Sequence, residues 1–494
     1  MFLSPFAGQG FWSTLSFLLP LPYFQKNIGV FTEKNSKNEP KTLFLRRLSN
    51  QHGIRPQNTL QVQVKLSCMP LPETPARREE IEFNSNNQKA KSMSIVSTTP
   101  LSQRVLQMSE SETLKMSAMA RELKAQGHNV INLSLGEPDF DTPEHIKEAA
   151  KQALDAGLTK YTPVPGLQEL REAIKVKFKR DNNMDFAVNQ IVVSNGAKQS
   201  LANIFLSLLD PGDEVIILAP YWVSYSEIVK LAEGVPVILT STIDEDYKVP
   251  AKAVEAAITA RTKAILFSSP CNPTGSVYSY DELKGIADVV AKHENILIVA
   301  DEIYEYINFV GKHVSIGAFE NVKNQTVTVN GFAKGFAMTG WRLGYIGGPV
   351  WLADACNKIQ GQVTSGANSF SQKAAAYALL SDLAPTWAMR DAFLKRRDLV
   401  IGLLSAIPGM KVNLPEGAFY IFPDISAFFG KSTGDINIKD ANDFCDYLMT
   451  TAHVATVSGA AFGAYNCFRL SYAASEEDLR TAVARIADAV GKLS

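Results

Sequence analysis

The chain has 494 residues, more than one hydrophobic core usually serves, so two packed units sharing a site are expected, plus any extension. Its 49 basic and 50 acidic residues leave a net charge of -1, which excludes a global electrostatic footprint for nucleic acid or anionic lipid and points to small-molecule chemistry. The five cysteines are scattered and form neither a CxxC pair nor a zinc spacing with the six histidines, so a reducing, cytoplasmic setting and no metal are expected.

Residues 1–92 differ from the rest. The apolar start is broken by Pro5, Gly8, Gly10, Pro20 and Pro22, and no basic residue precedes Lys26. It matches neither a secretory signal nor a membrane span, which needs about 20 uninterrupted apolar residues. The stretch from Lys26 to Ser92 lacks apolar periodicity and reads as disordered. We expect Met93 to be the natural start and the earlier residues to be upstream sequence. Their acid-poor beginning also matches an organelle transit peptide.

From Leu101 helical and strand-like segments alternate, which predicts an α/β fold around a mainly parallel sheet. Asp141-Thr142-Pro143 reads as an N-cap opening a helix over 144–156, and a second helix is expected over 167–180. Short apolar runs at 191–194, 215–219, 235–239, 263–267, 296–300 and 326–329 read as buried strands. Helical patterns at 200–209 and 281–293 supply crossovers. A long helix over 388–404, strands near 418–422 and 468–472, and a helix over 476–492 read as a smaller α+β lobe.

Several segments carry chemistry. Asp301 ends an apolar run, so its carboxylate should emerge at the carboxyl end of a buried strand, where such sheets hold ligands; Tyr304 follows three residues later. Asn272-Pro273-Thr274-Gly275 also follows a buried strand. Asn195-Gly196-Ala197-Lys198 joins a strand to a helix, so the amides of Gly196, Ala197 and Lys198 should face an anion. Lys334 lies among small residues, with Arg342 eight positions on. Arg469 sits inside an apolar strand and needs an anionic partner.

Together these residues resemble the class I aminotransferases, the aspartate aminotransferase family of pyridoxal-phosphate enzymes. The resemblance covers Leu101 to Ser494 and is closest to the bacterial and plastid subgroup that includes aspartate/prephenate aminotransferases. It implies fold type I, with a large domain (143–383) built on a seven-stranded sheet, a small C-terminal domain (384–494), and residues 93–142 as an arm that joins the small domain.

The resemblance also implies roles. Lys334 would hold the cofactor as a Schiff base and shuttle the substrate's α-proton. Asp301 would keep the pyridine nitrogen protonated. Asn272 and Tyr304 would hydrogen-bond the ring oxygen, and Trp222 would stack on the ring. Gly196, Ala197, Lys198 and Arg342 would hold the phosphate, with Tyr161 reaching the phosphate of a partner subunit in a homodimer with shared active sites. Many relatives carry serine where this chain has Ala333 or Gly331, so one phosphate contact is expected to be missing. Arg469 and Gly136 would bind the substrate α-carboxylate, and Lys198 and Thr113 a second carboxylate. Aspartate or glutamate is then the expected amino donor, a 2-oxo acid the acceptor, and prephenate a further acceptor. A carbon-sulfur lyase, a decarboxylase or an aromatic aminotransferase could use the same cofactor residues. A transcription regulator would need a DNA-binding module before Leu101, for which no pattern is visible.

Overall fold

The computed structural model describes residues 101–494, so the expectations for residues 1–92 and for a start at Met93 lie outside the described residues. The apolar runs form strands β1 (Ile191–Ser194), β2 (Glu214–Ala219), β3 (Val235–Thr240), β4 (Thr262–Ser268), β5 (Leu297–Asp301) and β6 (Thr326–Gly331). With β7 (Gly344–Gly347) they make a seven-stranded sheet in the order β1-β7-β6-β5-β4-β2-β3. The residue pattern does not predict β7, because glycines bracket its two apolar positions and Gly348-Pro349 follows. It runs antiparallel to both neighbours, while the pairs from β6 to β3 are parallel.

Central strands are buried along their whole length because both faces are covered. The period of two sorts their side chains into different cores. Val215, Ile217, Leu266 and Val299 pack on one side with Leu201 and Phe205 of the helix Ala197–Leu208. Ile216, Ile265, Phe267 and Ile298 pack on the other with Leu283, Ile286 and Val290 of the helix Tyr280–Val290.

A second core lies around the antiparallel strands β8 (Tyr420–Ile421), β9 (Val457–Ser458) and β10 (Phe468–Ser471), in the order β9-β10-β8. The helices Ala384–Ser405 and Glu476–Val490 cover it with Phe393, Val400 and Leu404 and with Leu479, Val483 and Ile486. The N-terminal segment joins this core. Ile131 and Asn132 pair in parallel with Val454 and Ala455, and Met116 and Ala120 of the helix Glu112–Ala125 pack beside them.

Two local expectations need correction. The helix Glu144–Asp155 is capped by Pro143, not from Asp141. Thr142 is used elsewhere, donating to the Ala337 carbonyl at 2.7 Å and accepting from Trp341 Nε1 at 3.0 Å. The strand expected near 418–422 shortens to β8 because Ala418 sits in the left-handed region at φ 56°. Two helices, Val350–Val363 and Ser369–Leu380, cover the sheet where no expectation had been drawn.

Candidate active site

The sheet order brings the carboxyl ends of β1, β2, β4, β5 and β6 to one edge, where ligand crevices form in such folds. Because β7 is antiparallel, its amino end, just after Arg342, lies on that same edge beside the end of β6 that leads to Lys334.

Asp301 ends β5 with its carboxylate buried. The Tyr225 hydroxyl donates to it at 2.7 Å and the Ile303 amide at 3.2 Å, and no cationic side chain among the described residues pairs with it. Burial pushes the carboxyl up to about 6 against the lowering effect of those two bonds. The acid therefore gains from a hydrogen-bonding cation brought to its free face.

Raising a carboxyl in the folded state has a defined consequence. Stability is fully present below the unfolded value near 3.8 and falls as pH rises to about 6, because folding then retains a buried charge. In the cofactor-free protein, Asp301→Asn should therefore be more stable than the parent at neutral pH by about 3 kcal/mol. That advantage should vanish as pH falls below 4, on the order of the unfolded carboxyl pKa. Urea unfolding across pH checks this. An equal or lower stability of the variant at neutral pH would show that the carboxylate is not strained by burial.

Lys334 follows β6 and its ammonium donates to the Gly136 carbonyl. The residue is half-buried at the cleft, while its amine is densely walled. Burial pushes the amine down to about 8, with Glu137 opposing and Arg469 and Arg342 assisting. A partly deprotonated amine at neutral pH suits nucleophilic and proton-transfer work.

The anion cradle is narrower than expected. Gly196 caps the helix Ala197–Leu208 with φ 88°, and its own amide donates back to Ser194 at 2.8 Å. That removes Gly196 from the amides facing the cleft and leaves those of Ala197 and Lys198 at the helix start. The guanidinium of Arg342 packs so closely that a Cβ on Gly196 would lie 2.6 Å from Nη2; Arg342 is itself left-handed at φ 56° and donates to the Thr339 carbonyl at 2.8 Å. Gly344 makes the approach tighter, since a Cβ there would stand 2.2 Å from the Ala197 amide nitrogen.

Lys198 is exposed, yet its ammonium stands 4.8 Å over the Trp222 ring, in surroundings that push the amine down first by burial and then by the charge of Arg342. Trp222 packs edge-on against Tyr225 at 5.6 Å.

Across the cleft, Arg469 is 1% exposed within β10. Its guanidinium donates to Asn272 Oδ1 at 2.9 Å and to the Ser134 carbonyl, and stacks on Tyr420 and Phe462, but meets no carboxylate among the described residues. Since Oδ1 of Asn272 receives Arg469, its amide nitrogen is the group left to donate into the cleft. Tyr304 is buried and shares a 2.7 Å hydrogen bond with the Tyr420 hydroxyl.

Two expected residues make no side-chain hydrogen bond among the described residues. Thr113 lies in the first turn of the helix Glu112–Ala125. Tyr161 is 94% exposed. Three groups at the site were not anticipated: Tyr225, Tyr420 and the carbonyl of Ser134. Tyr225 had a faint signal, a hydroxyl three residues after Trp222. Behind Asp301, Glu302, Glu305 and His313 bring ligating atoms within 4.8 Å of one another, but the buried ammonium of Lys177 already pairs with Glu305.

A buried acid seeking a cationic donor, a depressed amine and an anion cradle along one sheet edge fit a group with a protonated ring nitrogen, an aldehyde and a phosphate. The fold and this set define a fold type I enzyme, the class built around pyridoxal phosphate. The family model described as "Aminotransferase class I and II" matches residues 128–486, and the chain belongs to that family, which implies pyridoxal phosphate as cofactor.

Within it the chain falls in the aspartate aminotransferase group of bacteria and plastids. It is 46% identical over 397 residues to a Petunia hybrida "Bifunctional aspartate aminotransferase and glutamate/aspartate-prephenate aminotransferase", covering 79% of this chain and 82% of that one. It is 46% identical to an "Aspartate/prephenate aminotransferase" of Nitrosomonas europaea, over 78% of this chain and 98% of that one. Among solved structures, the aspartate aminotransferase from Rhizobium meliloti superposes with a TM-score of 0.78 at 44% identity, covering 80% of this chain and all (100%) of that one. The Thermus thermophilus enzyme with maleate gives 0.75 at 43%, covering 79% and 100%. The protein is a transaminase that moves an amino group between an amino acid and a 2-oxo acid. Among the described residues no helix is long and apolar enough to cross a membrane.

Proposed function

We propose that this transaminase takes aspartate and glutamate as amino donors and the matching dicarboxylic 2-oxo acids as acceptors, with prephenate as a further acceptor. The observation that carries this is a second cation in the cleft. Arg469 suits an α-carboxylate, and Lys198, in no ion pair with a described carboxylate, suits another. The related Thermus thermophilus structure is that of the enzyme with maleate, a dicarboxylate, which supports the same pattern.

In this reading Lys334 is the amine that would hold the cofactor, and Asp301 the acid against its ring nitrogen. Asn272 and Tyr304 would face the ring oxygen, Trp222 the ring, and Ala197, Lys198 and Arg342 the phosphate. When bound, pyridoxal phosphate supplies an electron sink for the pair released from the substrate α-carbon. Lys334 then takes the proton from that carbon and returns it at the other end of the transfer. Gly136, whose amide makes no bond among the described residues, adds a donor for the α-carboxylate, and Thr113 one for the distal carboxylate. We assign Tyr161 to the phosphate of a second subunit, which makes the working unit a homodimer; its near-complete exposure supports this. The two-domain division at 143–383 and 384–494 belongs to the same reading.

Lys198→Ala tests the substrate assignment. It should weaken kcat/KM for aspartate by about 2 kcal/mol, the low end for a charge pair because the residue as a whole is exposed. Phenylalanine and alanine should lose far less. Equal losses for aspartate and phenylalanine would place Lys198 with the phosphate alone.

A further inference from the structure

Two buried tyrosines meet at the site, and only Tyr304 has a role so far. Tyr304 leaves the end of β5, whereas Tyr420 lies on β8, paired through Ser471 with the strand that carries Arg469. Their hydroxyl oxygens are 2.7 Å apart and their rings meet edge-on at 5.8 Å. The Arg469 guanidinium carbon sits 4.6 Å from the centre of the Tyr420 ring. A Cβ on Gly136 would stand 2.7 Å from the Tyr420 hydroxyl, and the Gly136 carbonyl receives Lys334. One phenol thus touches the surroundings of the ring-oxygen donor, the carboxylate clamp and the reactive amine.

We propose that Tyr420 is a positioning residue: its hydroxyl donates to Tyr304, which leaves the Tyr304 proton for the cofactor ring oxygen, while its ring face seats Arg469 for the substrate α-carboxylate. This rests on the roles given above to Tyr304, Lys334 and Arg469. A phenol has one proton to give. If Tyr304 spent its proton on Tyr420, it would have none for the cofactor. The Tyr420 hydroxyl has no other hydrogen-bond partner among the described residues, so the Tyr304 oxygen is where its proton goes. Burial raises both phenols, which keeps both protons in place at neutral pH. A phenol that receives a hydrogen bond donates a stronger one in turn.

The direction of the effect follows. Donation to the ring oxygen favours the state in which the nitrogen carried by Lys334 has lost its proton, because that oxygen then lacks another partner. Weakening the donation should make the nitrogen hold its proton to higher pH. The charged groups facing Lys334 are Glu137, Asp301, Arg469 and Arg342, and those facing Tyr420 are Arg469 and Glu137. Substituting Tyr420 leaves all of them in place.

The holoenzyme is titrated by its visible absorbance, and maleate binding is read from the same signal. Tyr420→Phe should raise the pH midpoint by about 0.5 while leaving maleate affinity within about twofold, since the ring face stays. Tyr420→Leu should raise the midpoint and also weaken maleate about tenfold through loss of the cation–ring contact. An unchanged midpoint in Tyr420→Phe, or a loss of maleate affinity equal to that of Tyr420→Leu, would overturn the proposal. A parent enzyme whose absorbance does not titrate would overturn the role of Lys334, and this proposal with it. A titrating parent with an unmoved Phe variant overturns this proposal alone.

Discussion

Lys334→Ala should lower transamination by at least about 10³-fold, the scale of a lost general acid-base group, with the loss of covalent cofactor attachment added to it. The amine stands among Asp301, Arg342 and Arg469, and burial depresses it toward neutrality. The variant should still bind pyridoxal phosphate, because Arg342, the helix start and Asp301 remain. Its absorbance should match free cofactor, and added aspartate should bleach it slowly or not at all. Near-normal turnover would remove Lys334 from the mechanism.

Lys177→Met should destabilise the fold by about 3–5 kcal/mol, the cost of stranding a buried charge. Lys177 is fully buried in the helix Gln168–Asn182, paired with Glu305 and donating to Asn182 at 2.7 Å. Asn182 in turn donates to Glu305 at 2.8 Å and to Ser315 at 2.8 Å, and Ser315 donates to Glu302 at 2.7 Å. Removing the ammonium leaves Glu305 without its buried cation, while Glu302 keeps His313 Nε2 at 3.2 Å. Adding Glu305→Gln should restore a good part of the loss in urea unfolding. A single-variant loss below about 1 kcal/mol, the range of exposed pairs, would mean water reaches this network. The same turn carries Asp301 and Tyr304 on its other side, so Lys177→Met should also loosen cofactor retention on dialysis.

Much of the site is legible because short motifs sit at strand ends. Asp301 closes an unbroken apolar run, so its place at the sheet edge follows from burial and period alone. Lys334 and Arg342 carry weight through their spacing and through the residues around them. Contacts set by rotation about a helix axis are different. Tyr225 reaches Asp301 because of where the helix Ser224–Leu231 begins, a detail that a residue or two of uncertainty erases. Gly196 shows the same limit, since a strand-to-helix turn predicts donors without saying which one folds back on the end of the strand, as the Gly196 amide does on the Ser194 carbonyl. Tyr420 lies far along the chain and meets Tyr304 only through tertiary packing. β7 is hidden by its glycines, of which Gly344 admits the close approach of the helix at Ala197 and Gly347 that of the Phe178 and Phe186 rings.

That glycine-bounded strand makes the Lys334 to Arg342 connection a ruler. Gly331 pairs with Gly344 on one side of β7, and Ser194 pairs with Gly344 on the other, so the strand is clamped along both edges. An inserted residue cannot be absorbed by sliding β7, because a slip of one position would turn Tyr345 and Ile346 to opposite faces. It would have to swell the turn between the reactive amine and the guanidinium. Insertions should therefore be tolerated in surface connections such as the one around Gly434, and selected against here, where, on the roles proposed for Lys334 and Arg342, chain length sets the span between the two ends of one small molecule.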